Sequence, residues 1–182
     1  MSQEIILLIK QSKKGNQKAQ MRLYKMYSEA MFFIASRYLK NEEEAKDAMQ
    51  EGFLKAFIKL DTYVDKISFG AWLKRIVINQ CIDELKKKKL QTVSLDKHSL
   101  EIVYNDNWSF DIEITKEMIL SAIEKLNIKY QLVVKLYLIE GYDHLEISEI
   151  LKIPIKTSRT HLRRGKLHLQ ELLNTQKYEA RY

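Results

Sequence analysis

Residues 143–173 read DHLEISEILKIPIKTSRTHLRRGKLHLQELL. Two stretches with helical spacing flank a short turn that holds the only proline of the chain, Pro154. These are the proportions of a helix-turn-helix. Asp143 and Glu146 have capping-box spacing and open the first helix. The second helix is expected from about Thr157 to Asn174. In it Leu162, Gly165, Leu169 and Leu172 form one stripe with Ser158 at its start, whereas Arg159, Thr160, Arg163, Arg164 and Lys166 face elsewhere. From Lys152 to His168 there are six Lys or Arg and no acid. A helix with hydroxyls and arginines in its first turns, over an apolar back, suits the DNA major groove. Arginine can bond guanine bidentately, and lysine and threonine hold phosphates. The same residues also fit a solvated basic face on an ordinary helical hairpin.

The rest of the chain agrees with an all-α protein. Its 182 residues allow one domain or two small ones, and 46% of them are apolar. The 5 Gly and 1 Pro are too few for the many turns of a barrel or sandwich. There are 31 Lys+Arg against 24 Asp+Glu, a formal charge of +7. That balance admits a polyanionic partner without requiring one. The single cysteine, Cys81, excludes an intrachain disulfide and sits in an apolar stretch, as a buried thiol does. The apolar run IILLI at residues 5–9 is far too short to span a membrane, and no leader sequence is evident. A cytoplasmic protein with no direct membrane insertion is expected.

Upstream of the helix-turn-helix the chain divides in two. Residues 3–90 form a run of helices, punctuated at Gly15-Asn16, with Ala19, Leu23, Met26 and Tyr27 at helical spacing. Asn41 and Glu44 open a helix whose buried side is Ala45, Ala48, Met49, Phe53, Ala56, Phe57 and Leu60. A loop at 61–68 leads into FGAWLKRIVINQCIDELKKKK, residues 69–89. The early apolar residues of that helix (Phe69, Trp72, Leu73, Ile76, Val77) lie opposite the later ones (Ile78, Cys81, Ile82, Leu85). A polar edge runs between them through Arg75, Asn79, Asp83 and Lys86. Residues 91–114 lose all periodicity and carry Asp96, Glu101, Asp106, Asp111 and Glu113 with one lysine, Lys97, so they are expected to be an acidic linker. Trp108 and Phe110 within it are candidates for docking on the folded parts. Helical spacing resumes at Ile119, Ala122, Ile123 and Leu126, followed by a helix over 130–138 that ends near Gly141.

Asp47, Gln50 and Glu51 share the face opposite the apolar side of their helix. They fit either a docking surface for a basic protein or a solvated face paired with Lys46 and Lys55. Nothing completes a catalytic or metal site around them, and the four histidines are scattered. His161 and His168 are seven apart and lack further ligands. No catalytic residue, metal or cofactor is expected, and the chain is not expected to be an enzyme.

Taken in order, GNQKAQMRLYKMY, NEEEAKDAMQEGF, FGAWLKRIVINQCIDELKKKK and AIEKLNIKYQLVVKLYLIEGYDHLEISEILKIPIKTSRTHLRRGK resemble the bacterial RNA polymerase sigma factors of the extracytoplasmic-function group. The resemblance covers nearly the whole chain. It implies a region 2-like helical bundle at 1–90, a linker at 91–114 and a region 4-like helix-turn-helix domain at 115–182. It further implies that Asp47, Gln50 and Glu51 dock on core RNA polymerase. Asp61, Tyr63, Ser68, Lys74, Arg75, Asn79 and Lys86 would meet the minus-10 DNA, with Tyr63 able to stack on a flipped base. Thr157, Ser158, Arg159, Thr160, His161, Arg163 and Arg164 would meet the minus-35 duplex. A separate anti-sigma protein is implied as regulator, and the free chain is expected to be monomeric. The sequence departs from the family pattern at Asn127, Lys152, Ser158 and Gly165, where proline, glycine, valine and alanine are usual. Ser158 is expected to weaken helix packing and Gly165 to cost up to about 1 kcal/mol against alanine.

Two other readings of the same residues stand beside this one. A dimeric helix-turn-helix regulator would explain residues 157–166 but not the acidic face. A helical adaptor protein would explain the acidic face but not the basic helix.

Overall fold

A computed structural model describes residues 3–91 and 114–179, and every element in them is helical. The expected linker, with Trp108 and Phe110, lies outside the described residues apart from its two ends. The chain divides into two units, residues 1–96 and 97–182.

The first unit holds α1 (Gln3–Lys13), α2 (Gln17–Ser36), α3 (Glu42–Ile58) and α4 (Phe69–Gln91), with a 3-10 turn at Leu60–Thr62. Helix α2 starts where the Asn16 side chain accepts from the Ala19 amide at 3.1 Å. Helix α3 starts in the same way, with Asn41 accepting from the Glu44 amide at 3.1 Å. Three glutamates in its first turn, Glu42 to Glu44, oppose the positive end of the helix dipole. Helix α4 packs on both α3 and α2. It buries Phe69, Leu73 and Val77, then adds Ile78, Cys81 and Ile82 along a wider arc. Two helices cover it, so one apolar face would not suffice. Cys81 is fully buried, and burial pushes its thiol pKa up to about 12. Trp72, Ile76 and Leu85 are only half-buried. Helices α3 and α4 approach closely at Gly52, where a Cβ would lie 2.7 Å from Val77 Cγ2 and 3.2 Å from Val77 Cα.

The second unit holds α5 (Lys116–Glu124), α6 (Ile128–Val134), α7 (His144–Leu151) and α8 (Ile155–Glu179). Helix α6 runs straight on into a π-helical turn at Lys135–Ile139. Gly141, at φ +78°, then lets the Tyr142 amide return to the Leu136 carbonyl at 3.0 Å. Lys135 is 4% exposed and pairs with Glu124. The buried Gln131 amide donates to the Ile123 carbonyl at 3.0 Å, tying α6 to α5. Both halves of the expected capping box form at α7: the Glu146 amide donates to Asp143 at 2.8 Å, and the Asp143 amide to Glu146 at 3.0 Å.

Helix α8 buries Ser158, Leu162, Gly165, Leu169 and Leu173, whereas Leu172 is half-buried, so the stripe ends one residue later than expected. Gly165 is also not a simple weakness of the helix. A Cβ there would stand 2.6 Å from Val134 Cγ2 and 3.4 Å from Tyr130 Cβ, so the glycine permits α6 and α8 to touch. Gly165→Ala therefore gains about 1 kcal/mol of helix propensity but meets about 1–3 kcal/mol of overpacking. A net fall in thermal stability is expected, and Val134→Ala in the same chain should recover part of it. Independent, additive losses in a double-mutant cycle would refute the contact.

Candidate protein and nucleic-acid interfaces

The exposed side of α3 forms one wall of a groove of about 430 Å³. Glu44, Asp47, Gln50, Glu51 and Leu54 line it from α3, and Gln80, Glu84 and Lys88 from α4. Asp47, Gln50 and Glu51 are exposed at its rim. Of the nearby lysines, Lys46 pairs with Glu42 at 2.7 Å and Lys55 donates to the Gln80 side chain, while the charge of Lys87 reaches Glu51. Gln80 is 5% exposed and passes the chain of bonds to Glu84 at 3.0 Å, which also holds Lys87 at 2.8 Å. Lys88 bridges back to Glu44, closing one end. Four carboxylates thus surround an accessible hollow beside Leu54, an aliphatic side chain left 57% exposed. Such a site suits a basic segment carrying an apolar residue. Leu54 was findable in the sequence as an apolar residue three and four positions beyond Glu51 and Gln50. Gln80, Glu84 and Lys88 were not, because only the packing of α4 on α3 brings them there.

The loop before α4 carries Asp61 and Ser68, both exposed. The Ser68 hydroxyl accepts from the Ala71 amide at 3.2 Å and so caps α4. Tyr63 departs from the expected stacking role. It is 6% exposed, its ring lies 5.7 Å from Phe69 and 5.3 Å from Trp72, and its hydroxyl donates to the Ile67 carbonyl at 2.8 Å. An amphipathic ring beside two other aromatics gains more from burial than from water. Tyr63 therefore props the loop from inside and offers no open face to a base. The apolar groups that the loop does expose are Val64 (60%) and Ile67 (50%), which helical and strand periodicities leave unmarked. Along α4, Lys74, Arg75 and Asn79 are half-exposed, and Asp83 and Lys86 exposed. Arg75, Asn79, Asp83 and Lys86 keep to one edge, roughly across the helix from Gln80, Glu84 and Lys88.

In the helix-turn-helix, Lys152 ends α7 at φ 57°, the left-handed region where glycine is usual. The turn is stitched by the Ser148 hydroxyl, which donates to the Ile153 carbonyl at 2.6 Å. Arg159, Thr160, Arg163 and Arg164 are exposed on α8, and Thr157 is half-exposed. Ser158 is a correction: it is fully buried, so it cannot reach DNA. Its hydroxyl instead bonds His144 Nδ1 at 2.9 Å, which satisfies the polar group that replaces the usual valine. His161 turns edge-on to Tyr130 at 5.4 Å, and His168 stacks on the same ring at 5.6 Å. His161 thus serves the α6–α8 contact at least as much as the outer face.

His144 also stacks on Tyr137, at 4.9 Å. Desolvation, then the charges of Arg159 and Lys166, hold its pKa below the ordinary value against the opposing pull of Asp143. Desolvation, with Lys129 and Arg164, does the same to His161. Both rings therefore bind a proton less readily in the fold than in the unfolded chain. Their contribution to stability is complete above about pH 6.5 and is lost as the pH falls through the lower folded values. Thermal melts are expected to show the second unit weakening between pH 7.5 and 5.5, with a smaller pH dependence in His144→Gln. An unchanged slope in that variant would remove His144 from the account.

Among the described residues no group of three or more His, Cys, Asp or Glu is placed to hold a metal ion, and no helix is long and apolar enough to cross a membrane.

Residues 23–91 match the family model described as Sigma-70 region 2, and residues 116–169 the one described as Sigma-70, region 4. The chain is 34% identical over 177 residues to the ECF RNA polymerase sigma factor SigW of Bacillus subtilis (strain 168), an alignment covering 91% of this chain and 94% of that protein. It is 26% identical over 172 residues to the ECF RNA polymerase sigma-E factor of Escherichia coli (strain K12), covering 88% and 89%. Two solved structures share the fold. CnrH in complex with the cytosolic domain of CnrY has a TM-score of 0.56 at 22% identity, covering 93% of this chain and 96% of that one. The sigma factor RpoE of Bartonella quintana, in complex with the anti-sigma factor NepR, has a TM-score of 0.57 at 20% identity, covering 85% and 96%.

Proposed function

The chain belongs to the ECF group of RNA polymerase sigma factors, and from that premise we propose how residues 1–90, 91–114 and 115–182 divide the work of starting transcription. As a sigma factor the protein binds core RNA polymerase and directs promoter-specific initiation, reading the minus-35 region as duplex and the minus-10 region as single strand. It is not an enzyme; the bond-forming chemistry belongs to the polymerase. One observation carries the division of labour: an acidic groove and a basic recognition helix occur on separate units of one chain.

Asp47, Gln50 and Glu51 seat the first unit on a basic element of the polymerase, with Leu54, Gln80 and Glu84 completing the groove. Asp61, Ser68, Lys74, Arg75, Asn79 and Lys86 face the minus-10 strands, and Val64 and Ile67 supply the apolar contact to an unstacked base that the buried Tyr63 does not. Thr157, Arg159, Thr160, Arg163 and Arg164 meet the minus-35 major groove, and His161 supports them from beneath. The acidic linker threads a positively charged channel of the polymerase. The protein works in the cytoplasm, is monomeric when free, and is held in check by a separate anti-sigma protein.

Asn79→Ala tests the minus-10 assignment, because Asn79 lies on the accessible edge of α4 and outside the core. Permanganate footprinting should show impaired strand opening at a promoter to which the variant holoenzyme still binds as closed duplex. Normal opening by that variant would remove Asn79 from the site.

A further inference from the structure

Lys55 stands four residues after Glu51 on α3, the spacing and order in which a glutamate and a lysine pair along a helix. Such a pair would neutralise one of the carboxylates at the groove rim. The lysine is instead turned to α4. Its ammonium donates across the helix interface to the side-chain oxygen of Gln80, and Lys55 is not among the described residues that line the groove. Gln80 is 5% exposed, and its amide nitrogen donates to Glu84 at 3.0 Å. The charge of Lys87 reaches Glu51, but the Lys87 ammonium is held by Glu84 at 2.8 Å. Glu51 itself is exposed.

From this arrangement we propose that Gln80 is a positioning residue of the docking groove: it draws Lys55 away from Glu51 and so leaves the Glu51 carboxylate to a cation of the polymerase. The inference rests on the reading that Asp47, Gln50 and Glu51 seat the first unit on core polymerase. The residue type follows from the two bonds. A side-chain amide accepts at its oxygen and donates at its nitrogen, so Gln80 serves Lys55 and Glu84 at once. A glutamate there would hold the ammonium but repel Glu84, and an aliphatic residue would hold neither. Burial of Gln80 strengthens both bonds, because water competes for them less. A half-buried ammonium deprived of that oxygen takes another acceptor, and the spacing along α3 supplies Glu51. Gln80 thus acts through Lys55 and needs no contact with the polymerase.

The test titrates the full chain and its variants against bacterial core RNA polymerase in the absence of DNA. Gln80→Met keeps the shape of the side chain and removes both bonds. It should weaken binding by about tenfold, the lower end of what one close interfacial charge pair contributes. Lys55→Met added to Gln80→Met should restore wild-type affinity, because replacing both partners by apolar groups of similar shape costs little and no lysine is left to cover Glu51. A merely structural defect at Gln80 would not be rescued in this way. In a chain that already carries Glu51→Gln, Gln80→Met should add no further loss. Lys55→Met alone, which does not depend on a variant at Gln80, should leave the affinity unchanged. Unaltered binding by Gln80→Met would overturn the proposal, and so would a double variant as weak as the single one. Tighter binding by Lys55→Met alone would also overturn it, since Lys55 would then already screen Glu51 in the wild type. A wild-type chain that fails to bind core polymerase, or binds it equally well with Asp47 and Glu51 reversed to lysine, sinks the docking reading itself and this inference with it.

Discussion

Reversing Asp47 and Glu51 to lysine is expected to abolish co-elution of the protein with bacterial core RNA polymerase while leaving its helical circular dichroism intact. Both carboxylates are exposed on α3, so their replacement disturbs no packing. The lysines nearest in sequence are committed to Glu42 and Gln80, and on α4 Lys88 pairs with Glu44 and Lys87 with Glu84, the charge of Lys87 also reaching Glu51. A reversal turns attraction into like-charge repulsion, which costs several kcal/mol across an interface. Two reversals in one groove exceed what the remaining contacts of Leu54 and Gln50 can offset. Binding that persists at wild-type level would return this face to plain solvated surface.

Removing the Arg163 guanidinium is the second large effect. Leu162, Gly165 and Leu169 point α8 into its own unit, and Arg163 lies near the middle of the opposite side with Arg159 and Thr160. A guanidinium paired with a guanine edge contributes about 1–3 kcal/mol of discrimination. Arg163→Ala should therefore lower initiation by about 5- to 150-fold at the matched base pair and far less at promoters already altered there. Run-off transcription from a set of single-base minus-35 variants would show this. A uniform loss across all of them would make Arg163 a phosphate contact.

Much of this architecture was legible in order along the chain. The caps at Asn16, Asn41 and Asp143 and the turn at Pro154 are local signals, set by a few neighbouring residues, and local signals survive folding. The departures arose where a long-range contact decided the outcome. Tyr63 went inside because Phe69 and Trp72 offered it a partner that only the turn of the chain brings near. Ser158 proved tolerable because His144 reaches it across the helix-turn-helix. Gly165 proved useful because Val134 stands against it. The acidic face on α3 was visible by its period, whereas the far wall of its groove belongs to a helix more than two dozen residues away. No one-dimensional pattern reports that pairing.

Helix α4 carries a consequence for how this protein can be altered. Gln80, Glu84 and Lys88 complete the groove with α3, while Arg75, Asn79 and Lys86 lie on the other side of the same rigid rod, about 35 Å long by its 23 residues. Its interior contact with α3 at Gly52 and Val77 leaves no room for even one added methyl group. Any rotation that retunes one side of the rod therefore displaces the other. In chimaeras, α3 and α4 are therefore expected to transfer only as one block: moved together they should keep both faces intact, and a junction placed between them should disturb both.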